Sequence, residues 1–414
     1  MKILIVSTND IYGGAAKAAY RLHCALQENG IESQMLVMNK TGDDSTVAAV
    51  EDGSWQKVVA KIRFKLDQFI ASLYKNRRDV PFSPAFFGSG AVVRKIHEID
   101  PDIVHLHWIC GGMIKVEDLK KIKKPIVWSL HDDWPFSGGC HIKWECENYK
   151  KECGVCPVLN SKREYDLSRL VLKRKENTFK KIENLTVIGL SRWIFNCSKE
   201  SSLLKNRPHI NLPNPINTNI FRPIDKRFAK NLWDFPVNKK MVLFGAIKGS
   251  KDLNKGFNEL ANALNVVGYE NIELVVFGSS EPQNPPKFRF KTHYVGRLSD
   301  DVSLVSLYNA CDVTVVPSLQ ENLSNTVMES LSCGTPVVAF DVGGNKDMID
   351  HLCNGYLAKP FDYVDLAGGI EWVLRHGKYD DLTVAGRQKV LKNFDRKIVA
   401  KKYIELYSSI LEKR

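Results

Sequence analysis

Val313-Thr314-Val315-Val316-Pro317-Ser318-Leu319-Gln320-Glu321-Asn322-Leu323-Ser324-Asn325-Thr326-Val327-Met328-Glu329 is the stretch on which the fold turns. Four β-branched residues run into a proline. A polar loop follows, and residues 325–332 keep helical spacing. Cys333-Gly334-Thr335-Pro336-Val337-Val338 then opens the next apolar run. The order is strand, loop, helix, strand. Strands apolar along their whole length suit a parallel sheet covered on both faces.

The same unit recurs on both sides of that stretch. Upstream, residues 241–244, 272–277 and 293–295 read as strands, and residues 336–340 follow downstream. Helical segments at 257–264, 302–309, 325–332 and 365–375 separate them. An earlier set of strands lies at 2–7, 33–38, 102–106, 126–130 and 185–190, with a helix at 15–26 after the first. The fold class is therefore α/β, in two parallel-sheet halves. Leu212-Pro213-Asn214-Pro215-Ile216-Asn217 marks the join, because two prolines exclude a helix or a central strand. Residues 1–213 form the first expected domain and 214–396 the second. A last helix over 397–414 packs on its own half or crosses back to the first.

The chain has 414 residues, too long for one ordinary core. Apolar residues make up 44% and charged residues 26%, which excludes a disordered chain, a fibre and a disulfide-dense miniprotein. No apolar run approaches the ~18 residues of a membrane span. Residues 1–7 are too short for a signal-peptide core, so a cytoplasmic location is expected. The ten cysteines are then thiols or metal ligands before they are disulfides. Lysine and arginine total 59 against 47 acids, a net charge of +12 that suits nucleotide phosphates, nucleic acid or an acidic membrane. No nucleic-acid module is present, and a basic helix around 162–181 reads as a solvated face.

Chemistry concentrates where it began. Glu321 reads as a loop residue and Glu329 as helical. The first-turn N–H groups near Leu323, Ser324, Asn325 and Thr326 make an anion site beside Glu321. Carboxylates hold sugar hydroxyls well, since each accepts several hydrogen bonds. The bland alternative is a first-turn acid and a solvated helix face. Asn254-Lys255-Gly256-Phe257 places a lysine beside a helix start, which suits a diphosphate. Gly13-Gly14 after the first strand allows close approach of backbone to a ligand, or forms a plain tight turn.

Together these residues resemble the donor-site signature of family 4 retaining glycosyltransferases. Glu321 and Glu329 bracket its Glu-x7-Glu segment, with Pro317-Ser318 before it and residues 333–338 after it. Gly343-Gly344, Asn354-Gly355-Tyr356-Leu357, Lys255-Gly256 and Gly13-Gly14 follow the same order. His131-Asp132-Asp133-Trp134-Pro135-Phe136-Ser137-Gly138-Gly139-Cys140 is similar to the bacterial exopolysaccharide, colanic-acid-type branch. The resemblance implies a GT-B architecture of two Rossmann-like domains facing a cleft. It places a nucleotide-sugar (UDP- or GDP-linked) on the second domain and a lipid-linked or saccharide acceptor on the first. It also implies that the last helix crosses back.

Residue by residue, the resemblance gives Glu321 the donor-sugar hydroxyls, Glu329 the ribose, Lys255 the diphosphate and His131 the transferred sugar. It adds Gly14 near the diphosphate, Gly296-Arg297-Leu298 beside the base, and Asn322 with the loop residues that follow as donor contacts. Many members carry an arginine where this chain has Ala246; Lys248 or Lys251 substitutes, or the leaving group is held less well. Retention of configuration is implied. Lysine and helix N–H groups can carry the leaving-group charge without a metal, and no Asp-x-Asp stands in a suitable loop to bind one. Two rival readings remain at this point: a nucleotide-sugar epimerase on the same architecture, and a non-catalytic, zinc-stabilised binding protein.

Three further features need an account. Cys140, Cys146, Cys153 and Cys156 lie within seventeen residues beside His141, and Cys153-Gly154-Val155-Cys156 is half a zinc knuckle. A structural zinc there would stiffen the loop carrying His131; free thiols or a disulfide pair are the alternatives. The other cysteines read as core. Residues 55–78 keep an apolar helical stripe, with seven lysines and arginines against Asp67 alone. That pattern suits either an interfacial helix on anionic lipid, on the inner face of the plasma membrane, or a helix packed on its own sheet. His105 and His107 alternate on one strand and read as sheet-edge histidines or acceptor contacts.

Overall fold

The computed structural model describes residues 1–51, 53–245, 252–278, 280 and 288–413. Ala246, Lys248 and Lys251 lie outside these. The chain divides into two compact units: Met1–Pro215 with Val399–Arg414, and Ile216–Ile398.

Unit 1 is built on seven strands. They are β1 (Lys2–Asn9), β2 (Glu32–Asn39), β3 (Val47–Ala49), β4 (Ile103–Leu106), β5 (Ile126–Leu130), β6 (Leu185–Gly189) and β7 (His209–Asn211). Their order is β3-β2-β1-β4-β5-β6-β7, and every recorded pairing is parallel. Ile3, Leu4, Ile5 and Val6 are all but inaccessible, which explains the unbroken apolar run of β1. The helix Arg396–Glu412 belongs to this unit from Val399 onward. It buries Val399, Tyr403, Leu406 and Tyr407 there, and the Tyr407 hydroxyl meets His105 Nδ1 at 2.7 Å.

Unit 2 has six strands: β8 (Lys240–Gly245), β9 (Ile272–Phe277), β10 (Thr292–Tyr294), β11 (Val313–Val316), β12 (Val337–Phe340) and β13 (Gly355–Ala358). The order is β10-β9-β8-β11-β12-β13, again parallel. Each sheet winds outward in both directions from a central pair, β1/β4 in unit 1 and β8/β11 in unit 2. Loops leaving the carboxyl ends of such a pair diverge to opposite faces and leave a crevice, where ligands of doubly wound sheets bind. β8 leads to the Lys255 loop and β11 to the Glu321 loop.

Several expectations need correction. β4 is an interior strand, so His105 and His107 are not at an edge; both are buried. Asp67 faces inward from the helix Ser54–Ser72. Its carboxylate accepts backbone N–H groups from Ala85, Phe86 and Phe87, so it does not offset the lysines outside. Lys175, in the basic helix Leu167–Phe179, is fully buried rather than solvated. Cys353 is exposed and Cys24 half-buried, unlike the other single cysteines.

Candidate active site

Two loops of unit 2 are laced together by one side chain. Asn254 donates from Nδ2 to the Gln320 carbonyl (2.8 Å), and its Oδ1 accepts the Gln320 N–H (3.0 Å). The Asn254 carbonyl accepts the Leu319 N–H at 2.9 Å. This clamp brings Lys255 Nζ to 3.2 Å from Glu321 Oε2. The neighbouring Glu321 carboxylate holds the Lys255 ammonium above the usual lysine range. Both side chains keep access to solvent, 35% for Lys255 and 16% for Glu321.

Two glycines fix the approach. Gly256 has φ +67°, and a Cβ there would lie 1.8 Å from the Pro317 carbonyl oxygen. Gly343 has φ +56°, and its Cβ would lie 1.7 Å from the Glu321 carbonyl oxygen. Neither position admits a side chain at this spacing. The Gly344 N–H also donates to the Glu321 carbonyl (3.1 Å). Glu321 thus sits in a loop gripped from both sides. The helix Asn325–Ser332 follows, capped by Ser324.

Glu329 lies inside that helix, 4% exposed, and accepts the Tyr308 hydroxyl at 2.9 Å. It is not on a solvated face. Leu323 and Ser324 are buried, while Asn322 and Asn325 are half-buried. Gly296 follows β10, and its carbonyl accepts the Gly278 N–H at 2.7 Å. Arg297 is exposed and Leu298 half-buried.

In unit 1, Gly14 opens the helix Gly14–Glu28 just after β1. His131 immediately follows β5, and its Nε2 lies 2.8 Å from Nδ1 of His107. Burial lowers the pKa of His131 to about 4, so the ring is neutral at physiological pH. The loop beyond is pinned by Asp132, which accepts from Trp108 Nε1 (2.8 Å), the Trp134 N–H (3.0 Å) and His141 Nδ1 (2.6 Å). Lys175 donates to the carbonyls of Trp134 and Ser137 and lies 3.7 Å above the Trp134 ring. Burial lowers its pKa to about 7.

Cys140, Cys146, Cys153 and Cys156 line one small cavity with Lys143, Tyr149 and Ser168. All four are thiols. Burial raises Cys156 to about 11 and Cys153 to about 12. Thiolates would suit zinc, yet among the described residues no three His, Cys, Asp or Glu side chains are arranged to hold a metal.

Sequence reasoning did not single out Asn254, Tyr308, Gly343 or His107 for these parts. The first stands beside Lys255 and could have been found as a loop-to-loop bridge. Tyr308 carries no local signal, because its partner is twenty-one residues away.

Comparison with known proteins identifies the class of the chain. The model for Glycosyltransferase Family 4 matches residues 12–211, and that for Glycosyl transferases group 1 matches residues 238–376. An uncharacterized glycosyltransferase of Methanocaldococcus jannaschii is 25% identical over 77% of this chain and 85% of its own length. An Escherichia coli protein, WcaC, whose name assigns it to colanic acid biosynthesis, is 24% identical over 84% of this chain and 85% of its own. A sucrose-phosphate synthase from Thermosynechococcus elongatus superposes with a TM-score of 0.72 at 18% identity, over all of both chains. HepE of Anabaena, solved with UDP-glucose, gives 0.65 at 16% over 99% of this chain and all of its own. The fold is GT-B, and the protein is a glycosyltransferase. The chain belongs to family 4, which sets aside the epimerase and the non-catalytic binding protein.

Proposed function

We propose that this enzyme transfers a hexose, with retention, from a UDP- or GDP-sugar to a lipid-linked or saccharide acceptor during surface polysaccharide assembly. The observation that carries the reading is the Lys255–Glu321 pair at the carboxyl ends of β8 and β11. A cation and an anion 3.2 Å apart satisfy each other in the free protein. A nucleotide-sugar offers each a better partner: the diphosphate for Lys255, the sugar hydroxyls for Glu321. Cleaving the sugar–phosphate bond leaves the electron pair on the diphosphate. Lys255 and nearby helix N–H groups stabilise that charge, so the step needs no metal. Glu321 positions the sugar and forms no covalent bond, as the acceptor enters on the face the diphosphate leaves. Glu329 holds the ribose, and Gly14, Gly296, Arg297, Leu298, Asn322, Leu323, Ser324 and Asn325 line the donor. His131 orients the sugar. The HepE complex supports a UDP-linked donor, and the WcaC name supports polysaccharide assembly.

UDP release from UDP-glucose, with a GDP-mannose arm, tests the reading. Turnover should persist in EDTA and fall about 10²–10³-fold in Glu321→Ala. Full activity in that variant would refute the site. NMR of the product anomer decides retention.

The acceptor reading extends to a membrane. The helix Ser54–Ser72 leaves Trp55 (75% exposed), Val58, Ile62, Leu66 and Phe69 (59%) uncovered, and Leu73 continues the same stripe. Lys61 and Lys65 are also exposed on this helix, while its one acid, Asp67, is buried. Like charges disfavour a second copy of this face and favour an anionic bilayer. The proposed location is the inner face of the plasma membrane. Binding to vesicles containing phosphatidylglycerol should be strong at low salt and weaken at high salt. Equal binding to phosphatidylcholine vesicles, or self-association through this helix, would overturn it.

A further inference from the structure

β4 and β5 pair in parallel, with Leu106 beside Trp128, so the residues that follow them emerge side by side. His107 comes one residue after β4 and His131 one residue after β5. Their rings approach to 5.1 Å between centroids, joined by the 2.8 Å contact from His107 Nδ1 to His131 Nε2. Two neutral imidazoles in this arrangement share one proton along the bond. One ring donates and the other accepts, and the choice fixes both tautomers.

The surroundings make His107 the rigid partner. The residue is 2% exposed, its backbone N–H donates to the Val6 carbonyl (2.9 Å), and its backbone carbonyl accepts Trp128 Nε1 (3.2 Å). It packs 4.4 Å from the His105 ring, which Tyr407 and Ser129 fasten at both nitrogens. His107 Nε2 is buried and has no hydrogen-bond partner among the described residues. A buried N–H without an acceptor is rarer in proteins than a bare acceptor. The proton of His107 therefore belongs on Nδ1.

We infer that His107 is a positioning residue: it donates Nδ1–H to Nε2 of His131 and holds His131 in the Nδ1–H tautomer. His131 then offers a hydrogen-bond donor, in fixed orientation, where the other tautomer would offer an acceptor. That a sugar hydroxyl receives this donor rests on the proposed glycosyl transfer; the tautomer itself does not.

The test uses the full chain labelled with 15N-histidine, with long-range 1H–15N correlation spectra and His131 assigned by its loss in His131→Gln. A protonated Nδ1 and a bare Nε2 on His131 are expected in the wild type. His107→Leu should release the tautomer and lower kcat for UDP-glucose hydrolysis about tenfold, with KM nearly unchanged. His107→Asn, whose amide can still donate from the Nδ1 position, should restore both. A wild-type His131 protonated at Nε2, or a tautomer unmoved in His107→Leu, overturns the inference. The expected tautomers in a wild type that turns over no nucleotide-sugar would uphold the pair and sink only the proposed reaction.

Discussion

The loop pair of unit 2 and the histidine pair of unit 1 are each held in place, in opposite ways. Lys255 and Glu321 are charged, solvent-reachable and opposite in sign, and backbone packing at Gly256 and Gly343 sets their approach. His107 is buried, and burial holds both it and His131 neutral; they are set by each other and by the interior strands β4 and β5. The difference follows from solvation. An ionised group taken fully out of water is costly unless it is paired, and the Lys255–Glu321 pair keeps its charge where water or a ligand can reach it. A neutral imidazole tolerates burial and gains fixed orientation. The unit 2 pair keeps its charge; the unit 1 pair keeps its geometry.

The sharpest way to break this contrast is to remove one member from each side. Lys255→Ala should lower turnover about 10²–10³-fold, since it removes the charge proposed to stabilise the leaving diphosphate. His131→Ala should lower it about tenfold, the scale of one lost hydrogen bond. Steady-state UDP release measures both. Equal losses would mean that His131 carries charge or a proton in the reaction, and the contrast would fail.

The glycines come next. Gly343→Ala forces a Cβ against the Glu321 carbonyl at a positive φ and should destabilise unit 2 by about 2–3 kcal/mol. Gly256→Ala should act alike through Pro317. Urea unfolding followed by circular dichroism reads the loss, and a midpoint unmoved in both variants would show that the loops yield.

Acid should act on the other unit. Burial lowers His23 to about 4 and His105 to about 3, and His131 also falls to about 4. Above about pH 6.5 these rings are neutral whether the chain is folded or unfolded, and they add no pH dependence. Between about 6.5 and 4 the unfolded chain binds protons that the folded chain refuses, so stability falls with pH. The slope is about 1 kcal/mol per pH unit for each fully buried ring, and less for half-buried His131. Calorimetry from pH 7.5 to 4.5 should show a melting transition of unit 1 moving down. A transition that holds its temperature would remove the neutral-histidine account.

The two regions also differ in how far they could be read from residues alone. The Glu321–Glu329 spacing, the lysine before Gly256 and the β-branched run of β11 are local, and together they pointed to the fold and the unit 2 loops. Two of the three-residue strands escaped, β3 and β7, whereas the third, β10, overlaps the run read at 293–295. The role of His107 was invisible, because it depends on which strand lies beside β4, and pairing across twenty-four residues leaves no periodic trace. Lys175 misled for the same reason. Its helix carries four basic residues against one acid, and the packed loop carbonyls of Trp134 and Ser137 explain a lysine inside.

Asn254 gives the finest probe of the contrast, because it shapes the charged site without carrying charge. Its amide makes two hydrogen bonds to the backbone of Gln320, one in each direction, and its own carbonyl makes a third to Leu319. Asn254→Ala removes the first two and keeps the third. The Gln320 carbonyl and N–H can then turn to water, so the stability cost should be about 1 kcal/mol. The Lys255–Glu321 distance should loosen, and the donor should bind with KM raised about five- to tenfold while kcat changes less. Asn254→Asp discriminates further: it keeps the acceptor for the Gln320 N–H, loses the donor, and adds a negative charge beside Lys255. If geometry alone matters, the Asp variant falls between wild type and Ala. If the field of unit 2 dominates, it binds the diphosphate worse than Ala, and its KM falls as salt is raised.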